Sequence, residues 1–307
     1  MRGFSPRLLI SKQIHPLYQA ELEEVKNHVR FNEAISAHSD TQRIAFGIEN
    51  DPYFAKYIGD VGNVLIENAV LYFHLLKMHE NSGAGATLGK VQLVAFAHGF
   101  ASPRRVTMYV KRMVQTGRLS YSADAEDKRV RRIVPSESLI ATSVHQMVVL
   151  MRSVDTLWPG HGFADRTAGD SEFFGRLILQ CGAKYLSGAD PVRPFSDVRH
   201  FTSKDAGTFL LNSLIFGCMS GHSRLSSGNE FALSYSEIAQ SLGVSRTHVR
   251  NVIEAAEARG LISHLGEGGK SMRLTQQMIS SYEKFFACLL ILARSSAEEV
   301  LDVRSAR

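Results

Sequence analysis

Apolar residues recur at helical spacing along most of this chain, and the period predicts helices over residues 17–37, 61–79, 136–154, 171–186, 207–221 and 276–300. Strand signals are confined to two short pairs, 118–122 with 130–134 and 261–265 with 271–274. Each pair is joined by a polar stretch, 123–129 or 266–270, as a hairpin with an exposed tip requires. The fold class expected is mainly α with small β-hairpin wings. The longest unbroken apolar run, 285–293, is closed by Lys284 and Arg294. It falls short of the ~20 residues of a membrane span and reads as a core helix.

The pattern repeats. Shifted by 143 residues, Ser102, Val106, Val110, Met113 and Gly117 fall on Ser245, Val249, Ile253, Ala256 and Gly260. Each segment carries a serine where a helix is capped, an apolar stripe at i, i+4, i+7, and a glycine that stops it. Upstream, Asp60-Val61-Gly62 before one apolar helix is matched by Asp205-Ala206-Gly207 before another, 145 residues on. The chain is therefore expected to hold two copies of one unit. Residues 158–170, with Pro159, Gly160, Gly162 and Gly169, read as loop. That places an N-terminal domain at 1–157, a linker at 158–170 and a C-terminal domain at 171–307.

Within each copy, two short helices join through a tight turn. Residues 235–262 give a helix through Leu242, a turn at Gly243 and a second helix that Ser245 can cap. Ala239 is small at the crossing, and Val249, Val252, Ile253 and Ala256 form the buried stripe. This is a helix-turn-helix, whose outward residues Arg246, Thr247, His248, Arg250 and Asn251 are of the types that reach phosphates and base edges in a major groove. In the first copy, 89–97 is the support helix, 98–100 the turn, and the helix from Ser102 starts with Pro103, where a missing N–H costs nothing. Arg104, Arg105, Thr107, Met108, Lys111 and Arg112 are expected to face outward. The competing structural reading of either helix is a solvated charged face.

Charge sharpens the picture. The chain carries a net +5, yet residues 100–134 hold nine cations against three acids, a local +6 that leaves the rest at −1. A concentrated basic segment points to a polyanionic partner.

The segment 118–133, RLSYSADAEDKRVRRI, followed by Pro135-Ser136, resembles the winged helix of MarR-type transcriptional regulators. The resemblance implies a wing in which Arg129 enters the minor groove while Asp127 orients it, flanked by Lys128 and Arg131. Members of that family are usually single units that dimerise; here two units stand in tandem, implying tandem winged helices in a pseudo-two-fold arrangement and a monomer acting as a pseudo-dimer. The second wing, 266–273, lacks Asp-x-Arg and offers Lys270 and Arg273. The family often binds small aromatic effectors between its helices. Phe73, His74, Trp158 and Phe163 are candidates for such a cleft, although aromatics at helical spacing are more often core, and the effector itself is not specified.

Other chemistries find no support. Cys181, Cys218 and Cys288 form no C-x-x-C pair, so neither a disulfide framework nor a zinc site is expected. The glycines at 83–89 before Lys90 are misplaced for a phosphate loop, and Val91 stands where Ser or Thr is needed. The twelve histidines show no metal-ligand spacing, and no nucleophile elbow occurs. No enzyme activity, cofactor or membrane partner is expected. The short apolar block at 8–10 is no export signal, and a cytoplasmic location fits. The expected function is a sequence-specific double-stranded DNA-binding transcriptional regulator using two non-identical winged helices. The alternatives are a plasmid or phage replication initiator and, from another class, a protein-interaction scaffold with degenerate winged helices.

Overall fold

A computed structural model describes residues 13–45, 56, 58–80, 85–124, 127–265 and 271–305. The described chain is mainly helical with two small antiparallel sheets. The expected feature at 8–10, Gly83 and Ala84, Glu126, and 266–270, expected as the tip of a second wing, lie outside the described residues.

Three helices lead: α1 (Pro16–Gln19), α2 (Leu22–Lys26) and α3 (Phe31–Ala45). They replace the single helix expected at 17–37. The break before α3 is held locally, because His28 Nδ1 accepts the Arg30 amide at 3.2 Å and so competes with helical bonding. There follow α4 (Val61–Glu80), α5 (Leu88–Ala97), α6 (Pro103–Gln115), β1 (Leu119–Ala123), β2 (Arg131–Pro135) and α7 (Glu137–Leu157). A short α8 (Phe163–Gly169) precedes α9 (Ser171–Leu186), α10 (Ser196–Thr202) and α11 (Gly207–Met219). The chain closes with β3 (Phe231–Ala232), α12 (Tyr235–Ser241), α13 (Arg246–Ala258), β4 (Ile262–Leu265), β5 (Ser271–Leu274) and α14 (Gln276–Ser305).

One element order occurs twice. Helix α4, an extended contact at Thr87, α5, α6, β1, β2 and α7 are followed later by α11, β3, α12, α13, β4, β5 and α14. The hairpins sit close to expectation, with Leu119 opposite Pro135 and Ile262 opposite Leu274. In each unit an extended segment ahead of the helix pair touches the second hairpin strand. Thr87 bridges to Arg132, and Phe231 pairs with Met272.

Helix α8 overturns the expectation of loop throughout 158–170. Its first amides are capped from a distance: the Asp155 carboxylate accepts Phe163 N at 3.0 Å and Ala164 N at 2.9 Å. Phe163 itself is fully buried. A remote cap of this kind leaves no local sequence signal.

The core does not follow chain order. One cluster joins α4, α5, α6 and the first hairpin through Ile66, Val91, Val110 and Ile133, and it also takes Phe174 and Ile178 from α9. The larger cluster joins α11 to α14 and takes Phe31 and Ile35 from α3. Phe31 and Ile35 stand 143 residues before Phe174 and Ile178. Each leading helix thus crosses to the other unit, α3 onto α11 and α9 onto α4. Gly175 and Gly182 make the second crossing close, since a Cβ at either would overlap His79 or Tyr72 of α4. The starts of α4 and α11 also meet, where Ala206 N donates to Lys56 O at 3.0 Å and Thr208 N to Gly59 O at 2.8 Å.

Candidate nucleic-acid interface

Local chemistry sets both helix pairs. Thr87 caps α5 and Ser102 caps α6, each hydroxyl accepting the amide three residues on. Gly99 in the first turn has φ 66°, and Gly243 in the second has φ 62°. Side chains strain in that region, so glycine belongs at both turns. Ser234 and Ser245 cap α12 and α13 in the same way. The stripe Val249, Val252, Ile253 and Ala256 is buried as expected, as are Val106, Val110 and Met113 on α6.

On α6 the expected outward set divides. Arg104, Met108, Lys111 and Arg112 are exposed, Met108 at 62%. Arg105 instead turns inward. Its guanidinium lies 2.5 Å from the buried Asp60 carboxylate and donates to Asn63 Oδ1 at 3.0 Å. Thr107 is also engaged, its hydroxyl donating to Pro103 O and accepting from Gln92 Nε2 at 2.8 Å. Both residues therefore seat the helix rather than lie open on its outer face. A second tie lies deeper: Tyr109 donates to Glu67 Oε1 at 2.7 Å, both buried. Burial raises the Glu67 carboxyl above the ordinary carboxylate range and the Tyr109 phenol well above its usual value.

The β1–β2 hairpin carries its charge outward. Asp127 Oδ1 accepts the Arg129 amide at 3.0 Å and lies 3.9 Å from Arg129 Nε, while the Arg129 side chain is 96% exposed. Arg131 lies over the Tyr121 ring at 4.5 Å, an aromatic partner that stiffens an exposed cation. Lys128 is exposed; Arg132 is half-buried and paired with Asp124. Arg118 is half-buried too, close enough to lower the Glu67 pKa. Of the nine cations of the basic segment, six remain exposed: Arg104, Lys111, Arg112, Lys128, Arg129 and Arg131.

The second unit presents a different face. Arg246, Thr247, Arg250 and Asn251 are exposed along α13, but Glu254 lies 3.7 Å from Arg250 Nε. His248 is turned inward, its Nε2 3.0 Å from the Asp205 carbonyl oxygen. Arg273 is paired with Glu230 across the sheet edge, which removes it from the candidate contacts. Lys270 lies outside the described residues. The Glu257 carboxylate, 2.9 Å from His264 Nδ1, is held below its ordinary pKa by that hydrogen bond. The face is thus close to neutral where the first is cationic.

Arg105 and His248 occupy the same place 143 residues apart, and both bind the turn that opens their unit's first helix, at Asp60 and Asp205. Sequence reading placed both among the base-reading residues. The repeated Asp ahead of α4 and α11 was the available signal that they are docking residues. Gln92 and Tyr121, which position Thr107 and Arg131, carried no such signal.

Among the described residues, no cluster of His, Cys, Asp and Glu could hold a metal ion, and no helix is long and apolar enough to cross a membrane. Compared with protein-family models, curated proteins and solved structures, the chain matches none.

Proposed function

We propose that this chain is a sequence-specific double-stranded DNA-binding transcriptional regulator, built as two unlike winged helices in a pseudo-two-fold arrangement. The observation that carries the proposal is the exposed cationic surface of α6 and the β1–β2 hairpin. Six cations are exposed there, while the inward Arg105 and Arg132 are satisfied by buried carboxylates. Phosphates along a groove would engage the exposed set, and Arg129 at the hairpin tip has the reach for a minor groove. The reciprocal crossing of α3 and α9 supports the pseudo-two-fold, because each unit completes its partner's core. The near-neutral α13 face supports a lesser role for the second unit, contributing through Arg246, Arg250 and Asn251. Selection of bound sequences from random duplex DNA with the purified chain tests the reading. An enriched motif beside gene starts is expected, whereas iterated motifs at a replication origin would favour an initiator. Failure to enrich any motif would contradict DNA recognition.

A further inference from the structure

The connection from α9 to α10, residues 187–195, runs past the turn that aims α6. It is anchored behind. Tyr18 of α1, fully buried, donates its hydroxyl to Ala189 O at 2.7 Å, and both residues belong to the larger core cluster, as does Phe195 at the end of the loop. It is stiffened within. Asp190 Oδ1 accepts the Val192 amide at 2.9 Å and the Arg193 amide at 3.0 Å. The other oxygen accepts the Tyr185 hydroxyl at 3.0 Å and lies 3.6 Å from Arg193 Nε. A carboxylate committed to two amides, a phenol and a guanidinium holds the loop in one shape. In front, Arg193 reaches the first unit. Its Nη2 donates to the carbonyl oxygen of His98, the residue that ends α5. The Tyr185 ring lies 5.9 Å from the His98 ring and 6.2 Å from that of Phe100, which packs on the first cluster. A guanidinium suits a carbonyl at a helix C-terminus, the negative end of the dipole. Burial, and then Arg193, lowers the His98 pKa, so the ring beside the guanidinium is neutral at neutral pH.

The loop therefore ties the two cores together at the helix-pair turn of the first unit. Helices α5 and α6 move as one body, because Gln92 Nε2 donates to Pro103 O at 3.2 Å and to the Thr107 hydroxyl at 2.8 Å. Held at His98, that body cannot rock on the crossing of α4 and α9. The grip is one-sided in the sequence. At the 143-residue shift Tyr185, Asp190 and Arg193 fall on Gln42, Gly47 and Asn50, which supply neither the ring, the carboxylate nor the guanidinium. The turn that is gripped leads into the cationic helix.

We infer that Arg193, seated by Asp190 and Tyr185, is a positioning residue that fixes the direction of α6 against α13 and so sets the half-site spacing the chain accepts. The spacing rests on the DNA-binding reading above; the direction of α6 does not. Pulsed electron–electron double resonance on the full chain without DNA reads the direction, with nitroxides on ketone-bearing residues placed at the exposed positions 108 and 247 and the native cysteines untouched. The parent should give one narrow distance population. Arg193→Ala should broaden it while melting stays cooperative, and Arg193→Lys, which keeps one charged donor, should fall between. Asp190→Asn keeps the amide acceptor but weakens the ion pair and should broaden the population too, which covers failure of Arg193→Ala to fold.

On unlabelled chains, duplexes with one or two base pairs inserted between the selected half-sites read the spacing, since each inserted pair turns one half-site by about 35°. The parent should lose about tenfold or more in affinity per insertion, the scale of a mismatched pair, and Arg193→Ala no more than about threefold, with each half-site motif unchanged. A merely structural role would lower stability without moving either readout. Distance populations as narrow in the folded variants as in the parent would overturn the positioning role whether or not DNA binds. Equal spacing penalties in the parent and Arg193→Ala would overturn the role in spacing. A parent that binds no duplex removes the spacing claim together with the DNA-binding reading, and the distance measurement still decides whether Arg193 fixes α6.

Discussion

Arg104 and Arg105 are adjacent and chemically identical, yet the fold employs them differently. Arg104 is exposed, whereas Arg105 neutralises a carboxylate that is only 4% accessible. Arg104→Ala should weaken duplex DNA binding about tenfold at unchanged stability. Arg105→Ala should lower stability by about 1–3 kcal/mol because Asp60 is left buried and unpaired. Denaturant melts beside binding titrations check both, and equal behaviour of the two variants would contradict the division. The caps at Ser102 and Ser245 were legible because a cap acts on its own next turn. The partner of Arg105 was signalled only by the repeat of Asp60 at Asp205, since it lies 45 residues upstream and is brought near only by packing. His38 makes a second residue-scale prediction. Its folded pKa, about 4, lies below the ordinary 6.5, so the unfolded chain takes the proton first and stability is lost as pH falls from about 6.5 to 4. The loss amounts to about 3 kcal/mol, while the raised carboxyl of Glu67 works in the opposite sense. Unfolding titrations should show the parent losing about that much more than His38→Gln across this interval; equal losses would contradict the assignment.

At the scale of elements, period and punctuation carried the long helices and both hairpins, because each buries a stripe and ends at a residue with local cause. Three elements escaped, one of them α10, a seven-residue helix whose first turn has no side-chain cap. The strand β3 is two residues long, too short for alternation to register, and α8 is started by Asp155 from the preceding helix. The β1–β2 hairpin and α6 yield the clearest element-scale prediction. Six exposed cations give a log–log salt slope of at most about −5 for duplex binding, at about −0.9 per neutralised phosphate. Replacing Lys128, Arg129 and Arg131 together by Ala should flatten that slope by about 3. Fluorescence anisotropy between low and moderate salt measures it. A slope unmoved by the triple replacement would remove the hairpin from the proposed interface.

For the whole molecule, the sequence repeat anticipated two similar halves but not how they interlock. The crossing of α3 and α9 is written in apolar residues 143 apart, Phe31 and Ile35 against Phe174 and Ile178, that look like any core positions until packing assigns them to opposite clusters. Fusion makes this exchange intramolecular, so one chain should act alone and set α6 and α13 toward two adjacent major grooves about 34 Å apart. Their faces differ in charge and in side chains, so the half-sites should differ as well. Hydroxyl-radical footprinting on the selected duplex, with native mass measurement of the same complex, tests this most directly. The account predicts one chain per duplex and two unlike protected half-sites a helical turn apart, the stronger facing α6 and surviving Arg250→Ala with Asn251→Ala. A short perfect palindrome protected evenly by one chain, or protection that vanishes with the α13 changes and survives loss of Arg104 and Arg129, would contradict it.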